Sequence, residues 1–319
     1  MEEIGDILKT EYGITATEIS LTPGGWSALA YKAESAQGTY FLKAYDNKRS
    51  STTTLLKKLN LSMKVASWLE NNTNLKGKIN APILTKKGEV KAETEAGTYL
   101  LFSYIDGETI KTTPLTTQQH GELAEITGEL HRNGTNMPFD FSEIKETYEI
   151  PCAELLKNPF ETNEISCIHQ NQDMLKRAIE LAYKLADRIK QKQPPFVLCH
   201  TDIHGWNLMQ SDRLILIDWE SIKLAPCEAD LFTFWGDWHW GDSNWGSYWD
   251  TFLPIYQKLH PEHIPQEENL RFYQIRRHIE DVEEFYKQYL YDGMNVEETR
   301  EVISCMEREC SFLEKLLKN

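Results

Sequence analysis

Apolar and polar positions alternate along the first hundred residues, then give way to a longer, helix-like period. Thr15–Leu21, Ala28–Ala33 and Thr39–Ala44 read as strands separated by the turn formers Pro23-Gly24-Gly25 and Gln37-Gly38, which predicts an antiparallel sheet. Ile4, Ile7 and Leu8 share one face of a short helix over 2–12, and Ser51–Glu70 reads as a long helix opened by a Ser/Thr cluster. Pro82–Lys86, Val90–Glu95 and Gly97–Tyr104 complete a β-rich segment. Beyond Ile105-Asp106-Gly107-Glu108 helices dominate: Thr116–His131, Cys167–Gln191, Glu267–Leu290 and Val296–Leu317. One β-type run, Phe196–Cys199, follows the helix breaker Pro194-Pro195. The pattern predicts an α+β fold in two lobes, an antiparallel β-sheet lobe over 1–105 and a mostly helical lobe over 106–319. A cleft between such lobes suits a small ligand.

Composition narrows the function classes. The 319 residues, 40% hydrophobic and 26% charged, describe an ordinary globular protein. A formal net charge of −15 disfavours nucleic acid and anionic membrane as partners. No run approaches the roughly 18 apolar residues of a membrane span, and the acidic start Met1-Glu2-Glu3 lacks the apolar core of a signal peptide. Six scattered cysteines without a CxxC pair suit reduced thiols, so a cytoplasmic location is expected. Nothing in the pattern demands an obligate protein partner.

The chemistry concentrates in His200-Thr201-Asp202-Ile203-His204-Gly205-Trp206-Asn207, followed eleven residues later by Asp218 at the end of the apolar run Leu214-Ile215-Leu216-Ile217. Phosphoryl transfer from a nucleotide needs one carboxylate to orient a hydroxyl, and an amide and a second carboxylate to hold Mg²⁺. Asp202, Asn207 and Asp218 supply that set. Lys43 interrupts the apolar strand Tyr40-Phe41-Leu42-Lys43-Ala44-Tyr45, where a cation facing a cleft can pair with phosphates. The hairpin before it carries Gly24, Gly25 and Ser27, which can bring backbone and hydroxyl close to phosphate oxygens. No Walker A sequence is present.

With these residues in place, the chain resembles the aminoglycoside phosphotransferase and choline kinase family, whose fold is protein-kinase-like. The matching segments are residues 200–207, Ile217-Asp218-Trp219-Glu220 and Asp230-Leu231, with Lys43 and Gly24-Gly25 in order, so the likeness spans essentially the whole chain. Within the family it is most similar to spectinomycin phosphotransferases, through Leu224-Ala225-Pro226 and Ile279-Glu280-Asp281 as well. The resemblance implies Asp202 as catalytic base, Asn207 and Asp218 as Mg²⁺ ligands, Lys43 on phosphate, and ATP or GTP as donor. It implies an interlobe hinge at Ser103, Tyr104 and Ile105, with His200 buttressing the catalytic loop and Asp230 bracing it.

One departure stands out. Kinases of this type usually place a Glu on the first long helix to hold the strand lysine, but Ser51–Leu69 contains none and Glu70 lies at the far end. Asn60 or the phosphates themselves are then expected to hold Lys43. For the acceptor, two places are candidates. The tryptophan-rich stretch over 234–250 offers Asp237, Trp238, Trp240 and Asp242 to a cationic, hydroxylated ligand. Glu280 and Asp281 offer carboxylates, and otherwise pair with Arg276, Arg277 or Lys287 at the surface. The expected activity is phosphorylation of an aminoglycoside- or aminocyclitol-like alcohol, a possible resistance function. A metabolite kinase acting on choline, a sugar or a glycated amine is the alternative, and a nucleotide-binding pseudokinase with a protein partner a third.

Overall fold

The computed structural model describes residues 1–22, 28–47, 49, 52–95, 97–134, 137–157, 166–234 and 248–318. Five antiparallel strands form the N-terminal sheet: β1 (Ala16–Thr22), β2 (Leu29–Ser35), β3 (Gly38–Asp46), β4 (Ala92–Glu93) and β5 (Gly97–Ser103). Their order is β1-β2-β3-β5-β4, so β3, which carries Lys43, lies at the centre with Lys43 opposite Ala30 and Leu100.

The period of two divides this sheet between two cores. Ala33 and Leu42, with Tyr99 and Leu101, pack under the N-terminal turns with Ile4, Ile7 and Leu8. Tyr45, Leu100 and Phe102, with Phe41 against them, join the large core that includes Leu59, Met63 and Leu69 of the helix Thr52–Asn72. Each such fully buried apolar side chain stabilises the fold by roughly 1.5–3 kcal/mol. Lys43 shares the parity of Phe41 and Tyr45, so the alternation aims its ammonium inward.

Two strand expectations fail locally. Residues 81–85 are irregular, tied to β5 through Ile83 N–H on Leu101 O at 2.7 Å, because Pro82 has no donor and a turn follows directly. Within Val90–Glu95 only Ala92–Glu93 pairs with the sheet. The N-terminal helix runs as Glu2–Ile7 and continues as a wider π turn over Leu8–Tyr12, closed by Gly13 at φ 73°.

The second lobe is mostly helical. Thr117–Asn133 starts at a reciprocal capping box: Thr116 Oγ1 accepts from Gln119 N–H at 3.2 Å, and Gln119 Oε1 accepts from Thr116 N–H at 2.8 Å. Gln172–Lys192, Glu267–Tyr291 and Val296–Lys318 pack on one another. Two small sheets position the chemistry. One pairs Val197–Cys199 with Lys223–Ala225, and the other joins Glu108–Thr109, Leu208–Gln210 and Leu214–Leu216. Among the described residues no helix is long and apolar enough to cross a membrane.

Candidate active site

His200 to Asn207 leave the strand Val197–Cys199 as a loop that ends in a 3-10 turn, Gly205–Asn207. Thr201 sits at φ 67°, a strained conformation for a β-branched residue. The strain is held from both sides. Asp230 accepts the backbone N–H of His200 at 3.0 Å and of Thr201 at 2.6 Å, and Thr201 Oγ1 donates to Ser221 O at 2.7 Å. His200 lies fully buried, edge-on to Trp219 with centroids 4.9 Å apart, its Nε2 3.0 Å from Ile217 O. It thereby ties the loop to the segment that carries Asp218.

Gly205 has a separate reason to be glycine. Its Cβ would fall 1.9 Å from the carbonyl oxygen of Lys111, whose N–H donates to Gly205 O at 2.8 Å. Two backbones touch there, and sequence reasoning gave this residue no role.

Asn207 and Asp218 are drawn together by the hairpin Leu208–Gln210/Leu214–Leu216, as Ile217 N–H donates to Asn207 O at 2.9 Å. The Asn207 amide nitrogen donates to Asp202 O and Oδ2, both at 2.9 Å, which leaves its oxygen for a cation. Asp218, at φ 68°, accepts at Oδ1 from the Lys43 ammonium at 3.0 Å. An amide oxygen and a carboxylate are the hard ligands that Mg²⁺ prefers, so this donor set fits that ion.

Lys43 finds a second carboxylate. Glu220 Oε1 lies 2.6 Å from its Nζ, and Tyr45 Oη donates a short hydrogen bond to the same oxygen. The expected partners, Asn60 or phosphate alone, are thus replaced by a residue two positions beyond Asp218, on the 3-10 turn Trp219–Ser221. Glu70, at the end of the long helix, turns instead to Gly77 N–H at 3.1 Å. Burial, reinforced by the charge of Asp218, pushes the Glu220 carboxyl up to about 7 against the pull of Lys43. Burial works against the charge on Lys43, yet Asp218 and Glu220 outweigh it and hold its pKa above the ordinary lysine range. The signal for Glu220 was its spacing from Asp218, which carries a side chain across one turn to the same strand lysine.

Arg277 also went unassigned. From the helix Glu267–Tyr291 its Nη1 reaches Asp202 Oδ1 at 2.7 Å, while Nε is held by Asp281 at 3.0 and 3.1 Å. Burial alone would raise the Asp202 carboxyl, but Arg277 and then His204, whose Nε2 is 3.3 Å away, hold it well below the usual range. Asp202 therefore stands ionised, with one oxygen on Arg277 and the other on Asn207. Glu280 pairs with Arg276 at 2.6 Å, and Arg276 also meets Glu146 at 2.7 Å. Both acidic candidates on this helix pair with arginines as foreseen, but half-buried rather than at the open surface. Asp281 reaches Asp202 only through Arg277.

At the expected hinge, Tyr104 N–H donates to Thr39 O at 3.1 Å and Lys32 Nζ lies 5.1 Å over the Tyr104 ring. Ser103 and Ile105 line a cavity of about 360 Å³ with Ser67, Glu70 and Ile215. Gly24, Gly25, Ser27, Asp237, Trp238, Trp240 and Asp242 lie outside the described residues.

A family model described as the phosphotransferase enzyme family matches residues 18–265. Among solved structures, the spectinomycin phosphotransferase APH(9)-Ia, in complex with ADP and spectinomycin, aligns at TM-score 0.72 and 22% identity over 100% of this chain and 98% of that one. The choline kinase LicA from Streptococcus pneumoniae aligns at 0.65 and 17% over 98% of each chain. A microcompartment-associated aminopropanol kinase aligns at 0.64 and 12%, over 100% of this chain and 98% of that one. No curated protein matches by sequence.

Proposed function

The chain belongs to the phosphotransferase enzyme family, and from that premise we propose that it moves the γ-phosphate of ATP or GTP to a hydroxyl of a small, amine-bearing alcohol. The observation that carries this is the ionised Asp202, hydrogen-bonded to Asn207 and one hairpin away from Asp218 and Lys43. Asp202 accepts the proton of the acceptor hydroxyl and aims its oxygen at the phosphorus. Lys43, pre-positioned by Glu220 and Asp218, meets the phosphates. Asn207 and Asp218 would hold Mg²⁺, which when bound supplies positive charge against the phosphate oxygens. Arg277 keeps Asp202 charged and fixes its direction, and Asp281 fixes Arg277. Residues 1–105 form the nucleotide lobe and 106–319 the lobe that holds the acceptor.

An aminoglycoside- or aminocyclitol-like acceptor is favoured by the neighbour that binds spectinomycin. The choline and aminopropanol kinases widen the class to small metabolites that also join an alcohol to a cationic nitrogen. The one feature behind a pseudokinase reading, a strand lysine without its helix Glu, is met by Glu220. Incubation with radiolabelled ATP and a panel of spectinomycin, aminoglycosides, choline and aminopropanol tests the proposal. Transfer to at least one of them, abolished by Asp202→Asn, is expected. Nucleotide binding without transfer to any alcohol would refute it, and a raised inhibitory concentration in a susceptible host would assign it to resistance.

A further inference from the structure

The loop that carries Asp202 holds a histidine against that same carboxylate. His204 precedes the 3-10 turn Gly205–Asn207, and its side chain is only 12% exposed. Its Nδ1 accepts the Trp206 N–H at 3.2 Å, and its carbonyl accepts the Asn207 N–H at 2.8 Å. Its Nε2 lies 3.3 Å from Asp202 Oδ1 and 3.3 Å from the Asn207 amide nitrogen.

Hydrogen counting fixes which ring nitrogen carries the proton. Nδ1 accepts a backbone N–H and so presents a lone pair, which puts the hydrogen of the neutral ring on Nε2. Both hydrogens of the Asn207 amide go to Asp202, one to its carbonyl oxygen and one to Oδ2, each at 2.9 Å. Neither is left for His204, so the contact of the two nitrogens is packing and Nε2–H donates to Asp202 Oδ1. That oxygen already accepts from Arg277 Nη1 at 2.7 Å, and both of its lone pairs are therefore spent. Oδ2 spends one lone pair on Asn207 and keeps the other.

We infer that His204 is a positioning residue: by filling Oδ1 alongside Arg277, it reserves Asp202 Oδ2 as the one atom that takes the proton of the acceptor hydroxyl. With Asp202 as the base of the phosphotransfer proposed above, that hydroxyl donates to the open lone pair of Oδ2. As its oxygen bonds the γ-phosphorus, its proton passes to Oδ2. The bond from phosphorus to the β,γ-bridging oxygen breaks, and its electron pair stays on that oxygen. Without the Nε2–H donor, Oδ1 would regain a lone pair, and the acceptor would bind either carboxylate oxygen. Only one of those poses sets the hydroxyl in line with the phosphate, so binding would be kept and turnover lost. The same ring caps the turn that ends on Asn207, through Nδ1 rather than Nε2.

Two substitutions separate the cap from the donor. An asparagine oxygen reaches where Nδ1 accepts, and a glutamine nitrogen reaches where Nε2 donates. With an acceptor that the wild type phosphorylates, His204→Asn should lose about tenfold or more in kcat. Its acceptor KM, and its nucleotide Kd by calorimetry, should stay within about threefold of wild type. His204→Gln should recover most of the lost turnover. Wild-type kcat in His204→Asn, or equal losses in both variants, would overturn the proposal and leave His204 as a cap alone. Long-range proton–nitrogen NMR spectra of the full chain, with His204 assigned by its absence in His204→Gln, decide the contact without any turnover. The Nε2–H form is expected at neutral pH, with ring shifts that move in Asp202→Asn; an Nδ1–H ring, or shifts indifferent to Asp202→Asn, would overturn it. A chain that transfers phosphate to no acceptor would sink the phosphotransfer reading, while these spectra still rule on His204.

Discussion

Glu220→Gln is the sharpest perturbation of the proposed nucleotide site. The glutamine keeps the shape and the acceptor that Tyr45 needs, and removes only the charge 2.6 Å from Lys43. Asp218 still pairs with the ammonium at 3.0 Å, so Lys43 is not stranded. The loss is one charge-assisted hydrogen bond in a buried site, about 1.5–3 kcal/mol. If that energy positions Lys43 for the transferring phosphate, kcat/KM for nucleotide falls about 10- to 150-fold. A pH profile supplies the second reading. With the Glu220 carboxyl raised to about 7, protonation on the acid side dissolves the pair with Lys43. Wild-type kcat/KM should therefore fall as pH drops through 7, while Asp202, held well below the usual range, contributes nothing there. The variant should lack that limb and run flat at its lower level. A steady-state coupled assay over pH 5.5–8.5 measures both (a window set about the ordinary His and shifted Glu range). A variant within about threefold of wild type, or one that keeps the acid limb unchanged, would show that Glu220 does not anchor the lysine.

Three further outcomes follow from contacts described above. Arg277→Met removes the cation that keeps Asp202 ionised against its burial, so the acid limb of kcat should move upward in pH while nucleotide affinity, by calorimetry, stays near wild type. Asp230→Asn leaves His131 and the backbone of His200 and Thr201 without their carboxylate, and a loss of about 3 kcal/mol in denaturant unfolding is expected. Gly205→Ala places a methyl group 1.9 Å from the Lys111 carbonyl oxygen, where backbone must shift, so kcat should fall together with stability, by about 1–3 kcal/mol or more in denaturant unfolding.

What the sequence made legible was local. Periodicity located the sheet and the long helices, and the spacing of Asp202, Asn207 and Asp218 picked out residues that the fold brings together as a candidate site, because each signal lies within one element or one loop. Glu220 and Arg277 escaped because their partners are remote: Lys43 is 177 residues from Glu220, and Asp202 is 75 from Arg277. Their roles come from how β3 and the helix Glu267–Tyr291 pack against the loop, and along the chain only the two-residue spacing of Glu220 from Asp218 leaves a trace of it. Gly205 escaped for the same reason, since nothing in the sequence announces that Lys111 crosses it. Residues 82–86 misled in the other direction. Their apolar run looks like a strand, but a proline without a donor and an immediate turn reduce its pairing to a tie from Ile83 N–H to Leu101 O.

The origin of the Lys43 partner also bears on control. Where a kinase draws that carboxylate from its mobile helix, swinging the helix makes and breaks the ion pair, and a signal can gate the enzyme. Here Asp218 and Glu220 sit on one short segment, so the carboxylate proposed for the cation and the lysine anchor travel together. The helix Thr52–Asn72 touches this arrangement through Ser62 Oγ, 3.4 Å from Glu220 O, and lends it no charge. Among the described residues, movement of that helix would therefore not by itself break the ion pair that holds Lys43.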